Sequence, residues 1–154
     1  MMTKSLLPLA LGGLAIGTTE FVIMGLLPDV AQSLSISIPE AGHLISSYAF
    51  GVVVGAPLLV ASSVKFPPKK TLIALMIIFT IFNAFSALSP NYYTLMTARF
   101  LAGLPHGAFF GVGTVVAVNL AKPGKQAQAI AMMFSGLALA NLAMVPLVTF
   151  IGHH

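Results

Sequence analysis

The sequence predicts an all-α membrane protein with five transmembrane helices, and three observations carry that prediction. Hydrophobic residues make up 58% of the chain and charged ones only 6%, against about 25% charged in a soluble domain; the mean hydropathy is +1.01. The apolar residues gather into five stretches, each near the ~20 residues that a bilayer core requires. The lysines fall on alternate connections between those stretches. Cysteine is absent, which removes disulfides and thiolate metal sites. The net charge of +4 sits on short loops beside apolar spans, so it argues for membrane topology and not for a nucleic-acid partner.

In order, spans are expected over 6–27, 41–62, 71–88, 94–119 and 127–150. The first begins after a single lysine, Lys4, runs too long for a signal peptide core, and reads as a retained helix ending at Pro28-Asp29. The connections 33–40, 63–70, 89–93 and 120–126 are short, so consecutive helices are antiparallel neighbours. Lys4, Lys65, Lys69, Lys70, Lys122 and Lys125 all fall on one side, while the opposite loops hold Asp29 and Glu40 and no basic residue. The positive-inside rule then places the N-terminus in the cytoplasm. An odd number of spans ending at a membrane surface reads as the front part of a larger protein, the alternative being a natural five-span chain. His153 and His154 are too few to argue from.

The fourth span opens on Arg99-Phe-Leu-Ala-Gly-Leu-Pro-His-Gly-Ala-Phe-Phe-Gly-Val-Gly113, and these residues are costly in lipid. An arginine in such a span costs ~2.5–3.5 kcal/mol and needs a partner or a wet cavity. Glu20 of the first span is the acid that answers it. It sits ~12 Å below the outer surface and Arg99 ~8 Å below it, counting 1.5 Å per residue. The two either pair or bind one substrate from two helices; the competing reading is an ion pair that only locks helices together. Glu20 itself is a proton-coupling candidate or a structural, permanently protonated acid.

His106 follows Arg99 by seven residues and shares its face, with Phe110 and Gly113 continuing it. The histidine is a proton-relay or ligand-binding candidate, or a hydrogen-bonded packing residue. Met24 shares a face with Glu20, and Asn141 lies within the fifth span; both are candidates for lining a substrate cavity, although Asn83, Asn119 and Asn141 also suit interhelical glue. Pro105 is expected to kink its helix by freeing the carbonyl of Leu101. Gly13/Gly17, Gly51/Gly55 and Gly103/Gly107/Gly111 repeat the small-xxx-small spacing of close helix packing, with Gly107 and Gly111 turned from the cavity and Gly103 at its edge. No metal-ligand spacing links the histidines. No nucleophile motif, H-E-x-x-H or P-loop is present, so neither an enzyme nor a cofactor is expected.

These residues resemble a known family. Arg99-Phe-Leu-Ala-Gly-Leu-Pro-His-Gly107 is similar to the fourth-helix R-x-x-x-G-x-x-x-G pattern of major facilitator superfamily transporters. The basic stretch between spans two and three sits where that family carries its G-x-x-x-D-R-x-G-R-R loop. Thr19 to Pro28 resembles the first helix of its drug/proton antiporter branch. Ser37-Ile-Pro-Glu-Ala-Gly-His43, Gly51 to Pro57 and Pro105 to Gly113 with Lys122-Pro-Gly-Lys125 are similar to the bacterial arabinose-efflux permease (AraJ-like) group.

The resemblance implies an incomplete N-terminal six-helix half of a 12-helix fold in the bacterial inner membrane. Helices one and four would line a central cavity, and Lys65, Lys69 and Lys70 would lie in a cytoplasmic gating loop. The sequence departs from the family at Val64 and Pro67, which replace that loop's aspartate and glycine. Of the fifth-helix antiporter motif only Gly136, Ala140 and Pro146 remain.

The function so implied is proton-coupled efflux of sugars, drugs or other small polar solutes by alternating access. The partners are a small-molecule substrate, protons, the lipid bilayer, and a C-terminal half or another chain. Alone, such a fragment is expected not to transport, because alternating access needs two halves. The alternative is a truncated, non-transporting membrane protein or an assembly partner held by its glycine faces.

Overall fold

The computed structural model describes residues 2–152, with side chains from Ser5 onward. The side chain of Lys4 and the residues Met1, His153 and His154 lie outside the described residues. The elements are α1 (Met2–Gly25), α2 (Leu27–Ser33), α3 (Ile38–Ser63), α4 (Pro68–Ala87), α5 (Tyr92–Leu120), α6 (Gln126–Leu139), a π-helical turn (Ala140–Met144) and α7 (Val145–Gly152). Five helical segments are long and apolar enough to cross a membrane: Ser5–Gly25, Ile38–Ser63, Pro68–Ala87, Tyr92–Leu120 and Gln126–Gly152. The last combines α6, the π turn and α7.

Local chemistry explains where the helices stop. The residues just after Gly25 form a separate short helix, α2, where the sequence predicts the end of a span and a loop. Pro28 and Asp29 do not simply end α1; they occupy the first turn of α2, where a missing N–H costs nothing and a carboxylate meets the positive end of the helix. A Schellman turn closes α2, with Ile36 N–H donating to Ala31 O at 3.0 Å and Ser35 N–H to Gln32 O at 3.1 Å. It holds Ser35 at φ 55, a left-handed position usually given to glycine. α3 then starts on a capping box. The Ser37 hydroxyl accepts from Glu40 N–H at 3.3 Å, and Ser37 N–H donates to the Glu40 carboxylate at 2.8 Å. Asn91 and Thr94 cap α5 in a similar way, Thr94 N–H donating to Asn91 Oδ1 at 3.0 Å.

The chain divides into two compact units. The first comprises Met1–Gly25 and Phe110–His154, the second Leu26–Phe109. In the first unit α1 lies against α6, the π turn and α7. The approach is set by small residues. A Cβ on Gly136 would strike Ala10 O and lie 2.8 Å from Leu14 N, and one on Gly13 would lie 3.0 Å from Met133 O. In the second unit α3 meets α5 along Gly51, Gly55, Gly103 and Gly107. A Cβ on Gly55 would lie 2.6 Å from the carbonyl carbon of Leu104, and one on Gly103 3.0 Å from Val52 N. Without a hydrophobic driving force between helices in lipid, this backbone proximity supplies the van der Waals contact that holds them.

Prolines inside the spans are handled in two ways. α5 runs unbroken through Pro105 and α3 through Pro57. Before Pro146 the helix widens instead, and Val145 N–H donates to Ala140 O, five residues back. A proline ring clashes with the carbonyl four residues before it, here that of Leu142, and a π turn makes room.

Candidate functional site

The second unit builds a polar cluster inside two spanning helices. Arg99 and His106, both on α5, are buried, at 4% and 8% exposure. Seven residues make two helical turns, so they stand on one face ~10 Å apart. Tyr48 of α3 fills the interval at 2% exposure. Its ring lies under the guanidinium, with Cζ of Arg99 4.3 Å from the ring centroid. Its hydroxyl is 3.0 Å from Nδ1 of His106, and the two rings are tilted at 58° with centroids 5.7 Å apart.

The glycine seam is what allows this. A Cβ on Gly103 would meet Tyr48 O, and one on Gly51 would meet Phe100 O, so the backbones carrying the three side chains run almost in contact. Ser47 Oγ donates to Met96 O at 2.9 Å, adding a hydrogen bond between the same helices. At the end of the pair, the Tyr92 hydroxyl donates to Glu40 O at 3.2 Å and lies 3.3 Å from Nδ1 of His43.

Chemically, the cluster keeps a permanent cation inside an apolar span. The negative face of an aromatic ring attracts a guanidinium, by about 2 kcal/mol or more once water is excluded. The phenol's polar end needs a partner when buried, and His106 supplies it. Which of the two carries the shared proton depends on the imidazole tautomer.

The other sequence candidates fall as follows. Glu20 is half-buried on α1 and Met24 is exposed on the same helix. Glu20 belongs to the first unit and Arg99 to the second. Phe110, expected to continue the cavity face of Arg99 and His106, is buried and stacks on Phe134 of α6, with centroids 4.8 Å apart and planes at 18°. Gly113 is buried too. Gly103 lies in the seam and not at a cavity edge. Gly111, expected to pack, is exposed.

Asn141 is exposed on the π turn, and Asn119 is exposed near the end of α5. Asn83 donates to Phe79 O of its own helix at 2.7 Å. Lys65, Lys69 and Lys70 are exposed around the α3–α4 connection, as are Lys122 and Lys125 before α6. Among the described residues no three His, Asp or Glu side chains come together as a metal site.

Tyr48 is the member of the cluster that the sequence alone does not mark. A tyrosine in a span is unremarkable alone, but Tyr48, Gly51 and Gly55 recur at helical spacing on one face. That combination places a polar tip on a surface of close approach. The π turn was also unforeseen; Pro146 signals a disturbance without saying which kind.

Residues 9–154 match the family model described as Major Facilitator Superfamily. The chain is 53% identical over 147 residues to the inner membrane transport protein YdhP of Escherichia coli K12, covering 96% of the chain and 38% of that protein. It is 47% identical over 150 residues to the putative transporter AraJ of the same organism, again 38% of the relative's length. A chloramphenicol resistance protein of Streptomyces lividans is 35% identical over 138 residues, 90% of this chain and 35% of the relative. The chain therefore spans under two fifths of the relatives it matches. The family match over nearly its whole length, with five helices fit to cross a bilayer, makes this chain a multi-pass membrane protein that belongs to the major facilitator superfamily.

Proposed function

We propose that the chain forms part of a proton-coupled efflux transporter for small polar solutes, working by alternating access from the inner membrane with its N-terminus in the cytoplasm. The supporting observation is the buried Arg99, held over Tyr48 within a pair of spanning helices. An intramembrane cation kept at such cost is a functional candidate by default. Relatives named for transport and for chloramphenicol resistance point the same way.

In this reading Glu20 carries or gates protons, and Arg99 pairs with it or binds the same substrate. His106, Asn141, Phe110 and Met24 are candidates for the substrate path, and Lys65, Lys69 and Lys70 for the cytoplasmic gate. Alternating access needs two halves rocking about a midplane site, so the chain would work with a second half, on the same polypeptide or another. Solute leaves as protons enter, which makes flux depend on the proton gradient.

The test is proton-gradient-driven efflux from vesicles containing the chain together with its completing half, across a panel of sugars and drugs. Glu20→Gln is expected to abolish uphill efflux while leaving downhill leak. Equal, uncoupler-insensitive flux in both proteins would sink the coupling.

A further inference from the structure

Between α3 and α4 lies a groove of about 360 Å³ at the end where the two helices meet their connection. Its walls change character along its length. At the mouth stand Ser62, Ser63, Lys70 and Thr71 beside Phe66 of the connection; one to two turns deeper the lining is wholly apolar, from Leu59 on α3 to Ile78 on α4. Seven residues separate Thr71 from Ile78, so the apolar part reaches ~10 Å along the helix axis. A mouth that carries a cation and three hydroxyls, with one aromatic edge, leading into an apolar trough matches one lipid, head first.

The mouth is also selective. Lys65 and Lys69 flank Lys70, and the segment 59–78 contains no acidic residue. α4 starts with no side-chain cap, and Pro68 in its first turn has no N–H, so the first-turn N–H groups of Lys69 and Lys70 add to the positive field. The serines impose the opposite demand. Ser62 donates to Leu59 O at 3.1 Å and Ser63 to Val60 O at 2.7 Å. Their protons are used, and their oxygens are left to accept. The groove therefore suits a headgroup with an anion and a hydroxyl donor together. A choline headgroup has no such donor, and an ethanolamine headgroup brings a cation up to the lysines.

We infer that the α3–α4 groove binds one molecule of an anionic, hydroxyl-bearing phospholipid of the phosphatidylglycerol type. Its phosphate lies against Lys70 and the α4 N-terminus, its headgroup hydroxyls donate to Ser62 and Ser63, and an acyl chain lies between Leu59 and Ile78. The site is independent of the transport reading and of which side of the membrane the loop faces.

The experiment is native mass spectrometry of the chain from micelles holding equal amounts of phosphatidylglycerol, phosphatidylethanolamine and phosphatidylcholine. One phosphatidylglycerol is expected to be retained about fivefold over either of the others. Lys70→Gln should bring retention down to the phosphatidylcholine level, while Lys122→Gln, removing the same charge at the other basic loop, should leave it within twofold. Ala74→Trp, which fills the trough without touching charge, should also abolish the preference, with helical content by circular dichroism unchanged as the check on folding. Equal retention of the three lipids, equal losses for Lys70→Gln and Lys122→Gln, or an undiminished preference in a folded Ala74→Trp protein would each overturn the site.

Discussion

The two glycine seams share their construction but not their contents. Where α3 meets α5, the backbones approach at Gly51, Gly55 and Gly103, and the seam holds Arg99, Tyr48 and His106. Where α1 meets α6, they approach at Gly13 and Gly136, and the neighbouring contact is the Phe110–Phe134 stack. Close approach is thus a packing device that serves either content. What distinguishes the α3–α5 seam is a buried cation seated on an aromatic ring of the facing helix.

The largest effects should come from closing the seams. A Cβ on Gly55 or on Gly136 meets backbone, which cannot swing aside, whereas on Gly17 it meets first the Leu137 Cδ1 tip at 2.8 Å and the Ala140 Cβ at 2.9 Å. Gly55→Ala and Gly136→Ala are therefore each expected to cost about 3 kcal/mol or to prevent folding, and Gly17→Ala about 1 kcal/mol. Unfolding in mixed micelles with increasing denaturing detergent measures this. A mild Gly55→Ala would break the idea that the backbones touch there.

Next come the contents. Tyr48→Leu removes both the ring under Arg99 and the hydroxyl on His106, with an expected loss of about 2–3 kcal/mol. Tyr48→Phe keeps the ring and removes only the hydroxyl, with an expected loss of about 1 kcal/mol. If the two variants lost equal stability, the ring would be contributing nothing to Arg99. In the other seam Phe134→Leu keeps an apolar side chain and loses only the ring stack, worth about 1 kcal/mol. Under the proposed function it should leave efflux unchanged, whereas Tyr48→Leu should lower it. The same micelle titration and vesicle assay separate these outcomes.

Much of this was legible in the sequence because the bilayer imposes strong, local constraints. Spans show in hydropathy, and the glycine repeats announce close packing. Arg99 and His106 stood out because lipid makes such residues expensive. The remainder depends on partners, which periodicity along one helix does not encode. Nothing in α5 says that Tyr48 will fill the two-turn gap between its arginine and its histidine. Nor does the spacing of Phe110 reveal that its ring stacks on Phe134. Pro28 and Asp29 misled for a different reason: both are breaker signals after a span, and both are equally good helix starters.

The smallest stability effect, and the sharpest conformational one, belongs to Pro146. The π turn that precedes it leaves Asn141 exposed, and neither seam contains another such turn among the described residues. Pro146→Ala restores an N–H that can bond Leu142 O, so the turn should tighten to α-helix and stability should change by less than about 1 kcal/mol. Removing the extra residue from the turn rotates everything before it by about 100° relative to α7. The chain has no cysteine, which makes Asn141→Cys a unique thiol probe. If Asn141 lines a wet substrate path, that thiol should react with a membrane-impermeant maleimide in the completed transporter. Leu142→Cys, at 80% exposure on the next residue, should stay silent against lipid. Adding Pro146→Ala should then cut the Asn141→Cys rate severalfold. An unchanged rate would mean that the π turn does not depend on the proline, and that the outward asparagine is fixed by packing on α1 instead.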